Sequence, residues 1–497
     1  MSIKRCLFIF VALIVSQLAL AAHLWIEAEN FENKGGWVVD QQFMDLMGSP
    51  YLMAHGMGVP VKDASTTINF PEDGTYYVYV RTYNWTSPWS EMKGPGKFVL
   101  KIDNRRLTPI LGDEGEEWMW QSAGKVSVKA GGSIISLHDL TGFNGRCDAI
   151  YLTTEAGKLP PASEQELEVF RRNMLNLPFK PIETTEYDLV VVGGGIAGIC
   201  AATSAARFGC KVALVNDRPV LGGNNSSEIR VHLGGTIEVG PNKGLGRMIR
   251  EFGHSTEGNA QSAEKYEDEK KLKVVADEKN ITLFANYRAI AVEMKDKKIS
   301  AVVIKHIETG EEQTLAAPLF SDCTGDGTIG FLAGADYRMG REAKAEYGED
   351  LAPEKADKMT MGASVQWYSV ETEQKSSFPK FNYGITFSED NCEKVTMGEW
   401  QWETGMNFNQ IDDFERIRDY GLLVVYSNWS FLKNRLKDNH EYLNRKLEWV
   451  AYIAGKRESR RLLGDYILKQ DDIDKKRACE FFTRPFCVEK IFVFNSP

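Results

Sequence analysis

Two rhythms of apolar residues divide the chain. Between His23 and Glu155, apolar and polar residues alternate in short runs: Thr67–Phe70, Tyr76–Tyr83, Lys97–Ile102, Lys125–Val128, Ser133–Leu137 and Ala149–Thr153. Such alternation puts every second side chain on one face, the pattern of a strand buried on one side. Turn-forming stretches, Glu72-Asp73-Gly74 and Ala130-Gly131-Gly132, separate the runs. Evenly spaced short strands of this kind predict an all-β sandwich. From Tyr187 the rhythm changes. Leu189 to Val192 is unbroken aliphatic, Ile199 to Arg207 is Ala-rich at helical spacing, and Lys211 to Val215 is a second apolar run. Strand, helix and strand within about 30 residues predict a βαβ unit of parallel strands.

The turn inside that unit carries the first chemistry. Gly193, Gly195 and Gly198 spell G-x-G-x-x-G between strand and helix. In this setting the first glycine allows the tight turn and the second lets the backbone approach a pyrophosphate. The third lets helix and strand pack closely, and the helix N-terminus offers N–H groups to the phosphates. The acidic residue expected to end the second strand and bind a ribose is replaced by Asn216, followed by Asp217. An amide still hydrogen-bonds a hydroxyl, so these residues leave FAD and NAD both open. Gly222, Gly223 and Asn224 provide a second flexible, polar approach to a cofactor. Arg230 and His232 alternate with Ile229, Val231 and Leu233, predicting a short strand that shows both to one face. On such a face they suit anion stabilisation and proton transfer; local hydrogen bonding is the alternative.

Farther on, Asn259 to Lys279 reads as a solvated helix. Ile281–Leu283, Ala289–Met294 and Ile299–Ile307 read as a strand meander turning at Lys295-Asp296-Lys297. The turn after Leu319 places Gly325 and Asp326 to receive a ribose or ribityl hydroxyl, ahead of a small-residue helix at Ile329–Gly334. Upstream, prolines 160, 161, 178 and 181 flank a helix predicted over Glu164–Leu175, which makes residues 156–185 a linker. Residues 350–450 read as a substrate or cap region. It contains a strand at Ala363–Tyr368, a short helix at Phe414–Tyr420 and a further helix at Tyr442–Ala454. Trp400, Trp402 and Glu403 form an aromatic–acidic loop suited to stacking on a sugar or flavin, with core packing as the alternative. Arg457, Arg460 and Arg461 follow, placed to grip a carboxylate or the flavin edge, with a salt-bridge network as the alternative. Trp85, Trp89, Trp118 and Trp120 lie in or beside loops, where they serve either sugar stacking or, as favoured here, packing between domains.

Composition narrows the class. With 497 residues, 26% charged and 43% hydrophobic, the chain is a multi-domain globular protein, and a net charge of −10 argues against nucleic acid and anionic membranes as partners. Lys4 and Arg5 precede an apolar run from Leu7 to Val15, and Ala19-Leu20-Ala21 fits a cleavage site. This predicts a signal peptide over residues 1–21, export to a periplasm or beyond, and no stable membrane span after cleavage. The eight cysteines contain no C-x-x-C, so neither a zinc knuckle nor an iron–sulfur cluster is expected.

At Val192–Cys200, Leu221–Gly235, Asp322–Gly327 and Gly455–Asp465, the chain resembles an exported bacterial FAD-dependent oxidoreductase family, related to the flavin domains of fumarate reductase and heterodisulfide reductase. The resemblance spans about Tyr187 to Ile467. It implies FAD as cofactor, a small-molecule or glycan substrate, and a Rossmann-type α/β domain over 186–349 with a return at 451–478. Residues 22–155 resemble the galactose-binding-like sandwiches of carbohydrate-binding modules, which implies a structural calcium at Glu27 and Glu29; a solvated strand face is the alternative. Residues 479–497 match nothing expected of the family, which suggests truncation. The leading expectation is oxidation of a carbohydrate-derived substrate by hydride transfer to flavin, with His232, Arg230 and Arg457 as catalytic candidates. A glycan-binding protein with an idle flavin domain and a polysaccharide lyase are the alternatives.

Overall fold

The computed structural model describes residues 21–181, 183–234, 244, 246–253, 258–399, 402–475 and 492–493. Residues 1–20, Trp400 and most of the tail expected to be unmatched lie outside them.

In the N-terminal part, alternation becomes antiparallel sheet. One four-stranded sheet runs in the order His23–Glu27, Ala149–Thr153, Gly74–Thr82, Met119–Val128. A second runs Ala64–Phe70, Gly131–Asp139, Phe98–Ile102, Arg105–Arg106. Tyr76, Val78 and Val80 from one sheet and Leu100, Ile135 and Leu137 from the other meet in a single buried core. The predicted linker helix forms over Glu164–Leu175, started by Ser163, whose hydroxyl accepts from the Glu166 amide, and ended by Asn176 in the left-handed conformation. Its Leu167 and Phe170 pack on Trp25 and Tyr151.

The continuous apolar strands form a parallel five-stranded sheet in the order Ile281–Ala285, Val212–Asn216, Leu189–Val192, Leu319–Asp322, Phe492–Val493. Strand periodicity explains its two covers. Val191, Val212 and Leu214 face the helix Ile196–Arg207. Val190, Val192, Ala213 and Val215 face a four-stranded sheet built around Tyr287–Lys295 and Lys298–His306. That hairpin turns through Asp296 and Lys297, both at positive φ, the signature of a two-residue primed turn.

Three predicted helices differ. The helix expected at Phe414–Tyr420 runs 21 residues, to Asn434. Gly421 does not stop it: a Cβ there would lie 2.6 Å from Val365 Cγ2, so the glycine serves close packing inside the helix. The helix expected over Tyr442–Ala454 is one turn, His440–Leu443, followed by a strand, Arg445–Val450, paired with Trp367–Glu371. Exposed Lys446 and Glu448 alternating with Leu447 and Trp449 suit that strand. The charged helix of residues 259–279 is a short 3-10 turn and then Asp268–Asp277, broken where Glu267 takes φ 49°.

The long helix joins the two halves. Phe414, Ile417, Leu422 and Tyr426 share one core with Phe43, Tyr51, Trp85 and Phe143 of the N-terminal part. Trp85 donates to the Phe143 carbonyl, Trp118 donates to Glu415, Trp89 packs on Tyr420, and Trp120 packs edge-on against Trp25. The loop tryptophans are therefore packing residues.

Candidate functional site

A cavity of about 480 Å³ opens at the C-terminal ends of the parallel strands. Its size lies in the roughly 300–1,000 Å³ range of cofactor sites. The glycines of the first turn divide their labour here. A Cβ on Gly193 would lie 2.2 Å from the Cys323 carbonyl oxygen, and one on Gly198 would lie 1.8 Å from the Gly193 carbonyl oxygen. Both are bare because protein backbone comes close. Gly195 differs: its Cβ would meet nothing nearer than the Gly223 Cα at 3.8 Å. Its bare face opens on the cavity, at the start of a twelve-residue helix that no side chain caps. Free N–H groups and the helix dipole converge on that space, the arrangement that holds a diphosphate.

The second approach also forms. Gly222 donates to the Gly194 carbonyl at 2.8 Å, with φ 119°, and Gly223 and Asn224 line the cavity beside it. Asn216 lines the cavity but does not offer its amide to a ribose as expected. Its Nδ2 donates to the Arg218 and Val220 carbonyls, and its Oδ1 accepts from the Gly194 amide at 3.1 Å. The amide braces the glycine turn, and Gly194 is bare because a Cβ would press to 2.5 Å from that same Oδ1. Asp217 pairs with Arg288 at 3.0 Å, and Arg288 also pairs with Asp45 of the N-terminal part.

Gly325, at φ 81°, and Asp326 stand at the cavity as predicted. The Asp326 carboxylate is held by Lys456 at 2.9 Å and by the Ser459 hydroxyl at 2.6 Å. Burial pushes its pKa up, but Lys456, Ser459 and Arg288 outweigh that and hold it below the ordinary carboxylate value. Arg457 and Glu403 pair at 3.2 Å, with Arg457 lining the cavity.

The expected strand carrying Arg230 and His232 is absent. Arg230 sits at φ 66°, left-handed, so the two side chains diverge. His232 lines the cavity and Arg230 does not. The Arg230 guanidinium lies 3.9 Å from the Trp449 ring centroid and donates to the Ser227 and Gln261 carbonyls, a bracing role. Trp402 is half-buried and stacks on Trp367 at the edge of the shared core, the packing role given above as the alternative. The calcium expectation fails on the same kind of observation. Glu27 and Glu29 are buried, Arg171 occupies the Glu27 carboxylate at 2.8 Å, and no cluster able to hold a metal occurs among the described residues. Burial raises both carboxyls, Glu29 well above its ordinary value.

Sequence reasoning missed Gln41, Gln42 and Arg288, which also line the cavity. No motif marks them; Gln41 and Gln42 come from the N-terminal part and reach the site only through the tertiary fold.

A family model described as FAD dependent oxidoreductase matches residues 188–483, more than half of the chain. The chain belongs to that family. Over 66 residues it is 48% identical to the soluble pyridine nucleotide transhydrogenase of Ectopseudomonas mendocina (strain ymp), an alignment covering 13% of this chain and 12% of that protein. The chain thus spans about an eighth of the length of the curated relatives it matches. Similar solved structures include a geranylgeranyl bacteriochlorophyll reductase-like protein from Thermoplasma acidophilum, with 18% identity, TM-score 0.26, and coverage of 38% of this chain and 48% of that one. A family 35 carbohydrate binding module from Clostridium thermocellum has 17% identity, TM-score 0.22, and coverage of 26% and 97%. FAD fits the residues present: the open face of Gly195 and the uncapped helix suit its diphosphate.

Proposed function

We propose that this FAD-dependent oxidoreductase is exported and oxidises a hydroxyl-bearing carbon of a carbohydrate-derived small molecule. The single observation that carries the reading is His232, whose Nε2 bonds to no described residue at a cavity wall shaped for a dinucleotide. FAD, when bound, supplies the acceptor for the hydride leaving that carbon. His232 receives the hydroxyl proton at Nε2. Gly195 and the helix at Ile196 hold the diphosphate, while Asn224 and Arg457 present polar groups to a hydroxyl-rich substrate. A β-sandwich joined to a Rossmann-type domain is the fold reading that the two antiparallel sheets and the parallel sheet support. Export is supported by the basic, apolar and small-residue order of residues 4–21. No nucleic acid or membrane partner belongs to this reading.

The test is purification followed by anaerobic mixing with a panel of aldoses, uronates and sugar alcohols. Yellow protein bleached by at least one of them, and bleached far more slowly in His232→Gln, is the expected result. Flavin bleached by none of the panel but readily by a reduced nicotinamide would overturn the substrate assignment.

A further inference from the structure

We infer that Asn259 is a positioning residue that fixes the tautomer of His232, leaving its Nε2 as the unprotonated nitrogen; this rests on His232 being the base proposed above. The argument needs no choice of amide orientation. The backbone N–H of His232 can only donate, and it reaches the Asn259 side chain at 3.0 Å. The atom it meets is therefore the amide oxygen, Oδ1. That same oxygen lies 2.8 Å from His232 Nδ1. An oxygen without a proton can only accept, so Nδ1 carries the hydrogen. In a neutral imidazole Nε2 then holds the lone pair. Nε2 lies beside Gly234, another residue of the cavity wall.

The surroundings explain why Asn259 holds still. It is buried, 2% exposed. The next residue, Ala260, donates its amide to the Arg230 carbonyl at 2.9 Å, and Tyr266 donates its hydroxyl to the same carbonyl at 2.6 Å. The left-handed turn at Arg230 makes that carbonyl available, and the Arg230 side chain ties the turn to Gln261. Arg230 thus acts two steps away from the chemistry. It pins residues 259–261 against 230–232, and Asn259 orients the ring. In the reaction, the substrate C–H pair leaves as hydride to FAD while the O–H proton moves to Nε2, giving a carbonyl and an imidazolium. The imidazolium keeps its Nδ1–H bond to Asn259 throughout.

The measurement is nitrogen-15 NMR of histidine-labelled, FAD-loaded full chain at a pH above the ordinary histidine range, with His232 assigned by its loss in His232→Gln. The wild type should show a protonated Nδ1 and a pyridine-like Nε2. Asn259→Ala should lose that preference, drifting towards the Nε2–H form, whereas Asn259→Asp, which keeps an acceptor oxygen, should retain it. Unchanged FAD content in both variants serves as the folding control. An Nε2–H tautomer in the wild type, or a spectrum unmoved in Asn259→Ala, overturns the inference. Sugar oxidation that survives in His232→Gln would instead remove the proposed base and leave the tautomer result standing on its own.

Discussion

Two polar regions lie on either side of Gln42, and they use similar residues for opposite ends. On one side, Arg146 pairs with Glu415 at 2.8 Å and with Asp419 at 2.5 Å, and Arg418 pairs with Asp40 at 2.6 Å and with Asp419 at 2.8 Å. Tyr51 and Tyr83 fill in with their hydroxyls. Both guanidiniums are fully buried, and the network joins the N-terminal sheets to the long helix. On the other side lies the glycine-lined cavity, whose backbone faces open space. In the first region, charge meets charge inside the protein; in the second, partial positive charge is left aimed at a ligand. The difference teaches that burial and charge alone do not mark a site. What marks it is a polar wall with a missing counterpart.

Removing Asp419 breaks the first region most severely. Asp419→Leu takes one carboxylate from each of two buried arginines, leaving Arg146 with Glu415 and Arg418 with Asp40, and breaking buried pairs in this way costs about 3–5 kcal/mol. The midpoint of denaturant unfolding should fall accordingly, while the chain that remains folded still binds one FAD. Loss of FAD without a change in midpoint would merge the two regions into one. The complementary change is Gly195→Val. Gly195 has φ −68° and ψ 179°, which valine accepts, and its Cβ enters only open space. The unliganded protein should therefore keep its unfolding midpoint. FAD affinity should fall by roughly 100-fold or more, about 2.8 kcal/mol, measured by fluorescence titration. A variant that binds FAD normally would mean that the cavity does not hold the diphosphate at this turn.

Much of this comparison was legible in the sequence, for reasons of period and spacing. The glycine turn at 193–198 announced itself because strand, turn and helix are local, and the linker helix did so because the flanking prolines are local too. The sequence predicts only a short helix at Phe414–Tyr420, whereas the helix runs on through Gly421 to Asn434. Only the position of Val365, 56 residues earlier, shows that this glycine is a contact surface. Alternation places Arg230 and His232 on one strand face, and nothing local in the sequence shows the positive φ. The Arg230 carbonyl is met by Ala260 and Tyr266, about thirty residues away. Asn216 stands out in the sequence as a departure, but its brace on Gly194 exists only once the loop is folded.

A smaller effect sharpens the cavity side through pH. Asp326→Asn removes a carboxylate held by Lys456 and Ser459, and should cost about 1–2 kcal/mol at neutral pH. Because Asp326 has a folded pKa below its ordinary value, its contribution is present above that ordinary value and is lost as pH falls through the folded one. The stability gap between wild type and Asp326→Asn should therefore be full at pH 7 and shrink below about pH 4. A gap that widens with acid would mean that the carboxylate is not the stabilised form.

The smallest expected effect tests whether the two regions are independent. Gln42 belongs to both. Its amide nitrogen donates to Asp40 at 2.9 Å and to the Tyr452 carbonyl at 3.0 Å, its oxygen accepts from the Ala454 amide at 3.3 Å, and the residue lines the cavity. If the N-terminal part were only an appended module, Gln42→Ala would leave FAD affinity untouched. The geometry makes it a piece of the cofactor wall, so affinity should weaken by roughly threefold to tenfold, with a stability loss of about 1 kcal/mol from the lost hydrogen bonds. Combining Gln42→Ala with Asp40→Asn decides how the weakening arises. Additive changes in FAD affinity would assign it to the wall alone. A combined loss smaller than the sum would mean that Asp40 acts through Gln42, so that the buried network at the interface helps to set the shape of the cavity.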